Sequence, residues 1–166
     1  MNIIYRHRIT ERYTQSQKGG TKMGYHFKVQ KDGKFLIAHC IELEGCRTQG
    51  LSRKELQTNM VEVLTLFLDE PKDSKKMFPE PKRNIKKSSS VVEVYPELRV
   101  WFSHNLRQTR LKENISQREA AKRIGISSLS GYQKLEKRAN PTIETVARIR
   151  RAFPEFDFTI PEAIHV

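Results

Sequence analysis

Four acidic residues, Glu42, Glu44, Asp69 and Glu70, are the first candidates for chemistry, because a phosphodiester-cleaving nuclease holds paired metal ions with several carboxylates. Glu42 and Glu44 fall in a turn and Asp69 and Glu70 at a helix end, where carboxylates ordinarily face solvent. They are read as surface groups, and no catalytic set is assigned. His39, Cys40 and Cys46 are candidate metal ligands. They have no CxxC or HxxxH spacing and fit no zinc pattern, so the cysteines are read as small core residues. No metal and no cofactor is implied. What is left is binding chemistry. Gln117, Ser127, Ser128, Ser130, Gln133 and Lys134, with Arg138 just beyond, form a polar and basic set toward the carboxy terminus. Such side chains donate to phosphates and exchange hydrogen bonds with base edges.

The formal net charge of +12 points to a polyanionic partner, since clustered lysine and arginine bind phosphates by releasing condensed counterions. That charge is unevenly placed: +4 in residues 1–22, −1 in 23–70, +4 in 71–95 and +5 in 96–166. The near-neutral stretch is the part least suited to touch nucleic acid. There are only two cysteines, no apolar run approaches the roughly 18 residues of a membrane span, and the amino terminus lacks a secretory apolar core. A cytoplasmic protein with reduced thiols and no membrane contact is expected.

The elements that must position the binding set follow from periodicity. Residues 1–23 are expected to be a flexible tail, and Met23, just before the first convincing strand, is a candidate alternative start. Tyr25, Phe27 and Val29 alternate with polar residues, Asp32-Gly33 supplies a tight turn, and Phe35 to Cys40 resumes an apolar run, which predicts a hairpin. A short third strand is expected around Arg47 and Thr48. Ser52 and Glu55 form a capping box ahead of Leu56, Met60, Val63, Leu64, Phe67 and Leu68 at helical spacing, and Pro71 ends that helix. Residues 71–90 have the composition of a solvated basic loop or linker. Val91 to Tyr95 predict a strand returning to the first sheet. Residues 24–95 thus form an α+β unit.

Residues 96–153 are expected to be all-helical, with 154–166 as a tail. A first helix would place Leu98, Trp101, Phe102, Leu106 and Leu111 on one side, with Arg99, Arg107, Arg110 and Lys112 mostly on others, and Asn114 would stop it. Ser116 would cap a short helix that turns Ala120, Ala121 and Ile124 inward before Gly125. Ser127 or Ser128 would cap the next, carrying Tyr132 and Leu135 inward. Small alanines let the two helices cross closely, the geometry by which one enters the major groove while its neighbour braces on the backbone. Ser116-Gln117, Ala120-Ala121, Ile124-Gly125-Ile126-Ser127, Leu135-Glu136 and Asn140-Pro141-Thr142 together resemble the Cro/repressor-like (XRE) helix-turn-helix family. The resemblance implies that Gln117 sits near a phosphate and that Ser127, Ser128, Ser130, Gln133, Lys134 and Arg138 belong to the DNA-binding set. The segment from Gly125 to Leu135 is about one residue longer than the common pattern, and Gly131 falls where a helix former is expected, which points to a late start or a bend.

The run from Phe27 to Glu70 resembles the HicB antitoxin domain through Glu42-Leu43-Glu44-Gly45-Cys46, Thr48-Gln49-Gly50, Glu55-Leu56, Asn59, Glu62 and Leu64. That resemblance implies a partial ribonuclease H-like fold without catalysis that grips a basic HicA-type toxin, an mRNA-cleaving ribonuclease. Phe35, His39, Glu42, Glu44 and Arg47 are the expected toxin contacts, and carboxylates such as Glu42, Glu44 and Asp69 would attract a basic partner. The combined expectation is an antitoxin that also represses its own operon as a homodimer or higher oligomer on paired half-sites. A free-standing regulator with a ligand-sensing amino-terminal unit is the alternative, and an active nuclease a third.

Overall fold

A computed structural model of the protein describes residues 24–158, so the tail expected over 1–23 lies outside the described residues. Four strands and five helices follow one another among the described residues: β1 (Tyr25–Asp32), β2 (Phe35–Cys40), β3 (Arg47–Gly50), α1 (Arg53–Leu68), β4 (Val91–Val94), α2 (Leu98–Lys112), α3 (Gln117–Ile124), α4 (Leu129–Leu135) and α5 (Ile143–Ala152). The fold is α+β, with the sheet first and the helical unit after it.

The sheet is antiparallel throughout, in the order β3-β2-β1-β4. Gly33 takes the left-handed conformation that the two-residue turn between β1 and β2 requires (φ +56°). Tyr25, Phe27, Ala38 and Cys40 point to the side covered by α1 and are buried, whereas Lys28, Gln30 and His39 face away. α1 begins as its capping box dictates: Ser52 Oγ accepts from the Glu55 amide at 3.1 Å, and Glu55 Oε2 accepts from the Leu51 amide at 2.7 Å. Leu56, Met60, Leu64 and Leu68 form its buried stripe. Close packing against β3 explains Gly50, where a Cβ would lie 2.7 Å from the Leu56 amide nitrogen.

His26 breaks the strand alternation, being fully buried on the otherwise open face. Its Nδ1 lies 2.7 Å from Glu42 Oε1, its amide donates to Glu42 Oε2 at 3.0 Å, and the Lys82 amide donates to Glu42 Oε1 at 3.1 Å. Glu42 is therefore an internal bracket between β1, the turn before β3 and the segment after α1. The expectation that it faces solvent or a partner is corrected: a carboxylate satisfied by these contacts and by the Cys40 thiol, at 3.7 Å from Oε2, is stable inside.

Two further expectations change. α2 does not present one apolar side; it is buried continuously from Val100 to Arg110, while Leu98 is exposed. Val100 and Trp101 join the core beneath the sheet, and Phe102 and Leu106 join the helical core, so one helix is the wall shared by both. Arg107 and Arg110, expected on its outer surface, are inside it. The segment 71–90 is also not a free linker. Phe78 is buried against Phe67 and His104, its amide donates to Gln108 Oε1 at 3.0 Å, and Gln108 Nε2 donates back to the Lys76 carbonyl at 3.0 Å. The Tyr25 hydroxyl donates to the Pro79 carbonyl at 3.0 Å. This segment is a strap tied to α2 and β1. Nor is the chain after α5 simply a tail: Phe156 is buried and Phe158 packs edge-on against Phe102.

At the joint between the units, Asp69 accepts from Lys137 at 2.9 Å and from Arg138 at 2.8 Å, and Arg138 also reaches Glu97 at 3.2 Å. Partial burial pushes the Asp69 carboxyl up, but the hydrogen bonds from Arg138 and Lys137 outweigh it and hold the group below the ordinary carboxylate value. None of the described helices is long and apolar enough to cross a membrane.

Two measurements check this joint. Because α2 belongs to both cores, urea unfolding followed by the fluorescence of Trp101 and by far-UV helical signal is expected to give coincident transitions; separated midpoints would show that the units unfold independently. A depressed folded-state pKa stabilises above the unfolded-state value, about 3.9, and the contribution is lost as pH falls through the folded value. The stability gap between the native protein and Asp69→Asn is expected to be level above about pH 5 and to close below it. A gap that stays constant down to acid pH would show that the pairing contributes nothing.

Candidate nucleic-acid interface

The helix pair α3–α4 is built by caps and small residues. Ser116 Oγ accepts from the Glu119 amide at 3.1 Å, Ala120, Ala121 and Ile124 are buried, and Gly125 ends α3 in the left-handed conformation (φ +76°) that favours glycine. Of the two serines open as the next cap, Ser128 takes the role, accepting from the Gly131 amide at 3.0 Å. Glycine fits there: a Cβ at Gly131 would come within 2.9 Å of that same Ser128 oxygen and 3.2 Å of Ile126 Cγ2 and would push on the cap. The helix expected to start late begins at Leu129, four residues after Gly125. α4 itself is a regular seven-residue helix.

What holds α4 at its angle is Glu136, its C-cap residue, which has no solvent exposure. Its carboxylate accepts from Arg110 Nε at 2.6 Å and Nη2 at 3.0 Å, from the Tyr132 hydroxyl at 2.8 Å and from Gln117 Nε2 at 2.8 Å. Arg107 donates to the Glu136 carbonyl and, at 3.2 Å, to that of Glu70. Burial opposes the Arg110 charge, but the hydrogen bonds and negative charge of Glu136 more than offset it, holding the guanidinium above its ordinary value. Burial and the same carboxylate push the Tyr132 phenol up. The node ties α2, α3 and α4 through the Glu136 carboxylate, which accepts hydrogen bonds from buried or half-buried donors, while Arg107 Nε is buried without a hydrogen-bond partner.

Around this node the residues expected to bind DNA separate into two groups. Ser127, Ser128, Ser130 and Lys134 are exposed on or beside α4. Gln133 and Gln117 are half-buried and joined, Gln133 Nε2 donating to Gln117 Oε1 at 3.1 Å, so they form a chain running back to Glu136. Arg138 is placed at the joint with Asp69 and Glu97, away from the exposed side of α4. Three residues were missed. Arg118 and Lys122, four apart on α3, line an open recess of about 430 Å³ together with Ser127, Ser128 and Leu129. Neither cation has an acidic partner among the described residues, in contrast to Arg123, which pairs with Glu113 and Glu119. Their i, i+4 spacing was the available signal. Leu129, an exposed apolar side chain at the start of α4, suits contact with a thymine methyl group.

The residues expected to meet a toxin are partly gathered. Arg47 and Lys28 both register with His39 across neighbouring strands, on the open face of the sheet, and Phe35 lies on that face opposite Asp32. Glu44 is exposed in the turn before β3, and Glu42 is internal. His39 and Cys40 point to opposite faces, and the Cys40 thiol donates to Glu42 Oε2 at 3.7 Å. Among the described residues no group of His, Cys, Asp and Glu is arranged to hold a metal ion. Of the carboxylates considered for a nuclease, Glu42 is tied to His26, Asp69 to Lys137 and Arg138, and Glu70 to Lys76.

This geometry is that of a helix-turn-helix. The helix-turn-helix family profile matches residues 106–157, from within α2 to just past α5. That region is a DNA-binding module, and the protein is a DNA-binding transcription regulator. The match leaves the sheet unit outside it, and no curated protein matches the chain.

Replacing Gln133 and Lys134 together by alanine is expected to weaken operator binding, Lys134 by direct loss of a contact worth about 1–3 kcal/mol and Gln133 by freeing Gln117. Mobility-shift titration reads the effect. Unchanged affinity would exclude α4 as the reading helix.

Proposed function

We propose that this regulator is the antitoxin of a type II toxin–antitoxin pair: its sheet unit neutralises a HicA-type mRNA-cleaving ribonuclease, and its helix-turn-helix represses the shared operon. The observation that carries the reading is the uncovered face of the sheet. α1 seals one side, while His39 and Arg47 stand side by side on the other, with Phe35 four residues along β2 on the same face, within the segment whose motifs resemble the HicB antitoxin domain. A macromolecular partner fits that face better than a small ligand. Drug-sized ligands use enclosed pockets of roughly 300 Å³ or more, and within the sheet unit the recess that Tyr25, Phe78 and Trp101 line, on the α1 side, holds only about 10 Å³.

The basis of toxin recognition differs from simple charge attraction. With Glu42 internal and Asp69 paired to its own chain, the open face offers Lys28, His39 and Arg47 around Phe35 and Ile37. Shape and aromatic contact carry the complex, and Glu44 at the neighbouring turn supplies the negative charge. Repression follows from a homodimer whose paired recognition helices meet half-sites about one helical turn apart.

Co-expression with the product of the small reading frame beside this gene is expected to rescue growth and to give a complex that co-purifies. Phe35→Asp is expected to abolish rescue while leaving DNA affinity unchanged, since Phe35 lies outside the helical unit. A neighbour without toxicity, or a toxic one that this protein does not bind, would leave a regulator with a different input.

A further inference from the structure

The strap carries two cations, Lys72 and Lys75, that have no acidic partner among the described residues. Its first turn, 71–75, is pinned at both ends. Asp69 is held by Lys137 and Arg138, and the Glu70 carbonyl accepts from Arg107. At the far end the Lys76 carbonyl accepts from Gln108, while Lys76 Nζ pairs with Glu70 at 3.2 Å and lies over the rings of Phe67 and Phe78. Inside the loop, the Ser74 amide donates to the Pro71 carbonyl at 3.0 Å. The loop is thus a fixed feature, not a mobile arm.

Its position is set by one contact. Gln117 Nε2, at the first residue of α3, donates to the Lys72 carbonyl at 2.5 Å. In a helix-turn-helix the first helix of the pair crosses the phosphate backbone, and backbone amides at a helix start favour anions. The Lys72 backbone is therefore at the edge where α3 meets the DNA strand. The side chains of Lys72 and Lys75 are exposed, and neither has an acidic partner among the described residues. Asp73 lies between them, so the loop presents two cations for one carboxylate.

From this placement we infer that Lys72 and Lys75 form a phosphate clamp lent to the helix-turn-helix by the sheet unit, extending the DNA footprint beyond α3 and α4. The inference rests on the assignment of residues 106–157 as the DNA-binding module. The clamp contacts backbone, so it adds affinity without sequence preference. Because the loop is pinned, little ordering entropy is lost when the contacts form.

The test is the salt dependence of binding to a fluorescein-labelled DNA duplex of arbitrary sequence, about two helical turns long, followed by anisotropy. Each neutralised phosphate contributes about 0.9 to the slope of log K against log salt. Lys72→Gln with Lys75→Gln is expected to make the slope shallower by about 1.8 and to weaken binding at low salt. The pair Lys31→Gln and Lys34→Gln, at the β1–β2 turn, removes the same charge and is expected to leave the slope unchanged. Both variants alter exposed side chains and are checked by thermal melting. If the strap variant keeps the native slope, binds more tightly, or is matched by the turn variant, the clamp is overturned and DNA binding stands. If the native protein does not bind the duplex at all, the DNA-binding assignment falls, and the clamp with it.

Discussion

Everything else in this molecule depends on α2 being buried from Val100 to Arg110 with two arginines in that stretch. Bringing a guanidinium out of water costs several kcal/mol unless its donors are satisfied. Here Glu136 accepts twice from Arg110, and the Glu136 and Glu70 carbonyls accept from Arg107. The remaining capacity of the Glu136 carboxylate is taken by Tyr132 and Gln117. One acidic side chain thereby fixes the crossing of α2 with α4 and the position of the first residue of α3. The DNA-facing side of the helix pair is the outer surface of that buried node.

A second consequence is mechanical. The sheet unit and the helix-turn-helix share α2, are strapped by 71–90 and are clasped by Asp69 with Lys137 and Arg138. No flexible linker separates them. The partner proposed for the open face of the sheet would therefore change DNA binding by blocking the approach or by changing which copies are held together. Swinging one unit against the other would require breaking both cores, since packed interiors are not continuously deformable.

The local architecture was legible in the sequence because its determinants are local. The Ser52–Glu55 box, the Gly33 and Gly125 turns, the inward alanines and the return of Val91–Val94 to the sheet each depend on spacing within a few residues. What was not legible depends on distant partners. Arg107 and Arg110 look like surface residues until Glu136, 26 positions beyond Arg110, closes over them. Phe78 is one aromatic in a Pro- and Lys-rich run, and nothing in its neighbours reveals the Gln108 amide that receives it. Arg118 and Lys122 were overlooked for the opposite reason: their i, i+4 spacing was visible, but only the fold shows that the recess beside α4 lies there.

Glu42 shows how the same motif can speak for fold and for partner at once. In the turn that resembles the HicB pattern, Glu42 brackets His26 and Lys82, Leu43 and Cys46 are buried, and Gly45 takes a positive φ of +81°. Folding alone accounts for each of these residues. Glu44, exposed between them, is the one member that folding does not explain. The motif is thus strong support for the shape of the sheet unit and weak support for its partner. The case for a toxin is carried by Glu44, His39 and Arg47, exposed without a fold-stabilising role, and by the half-buried Phe35 on the same open face as His39 and Arg47.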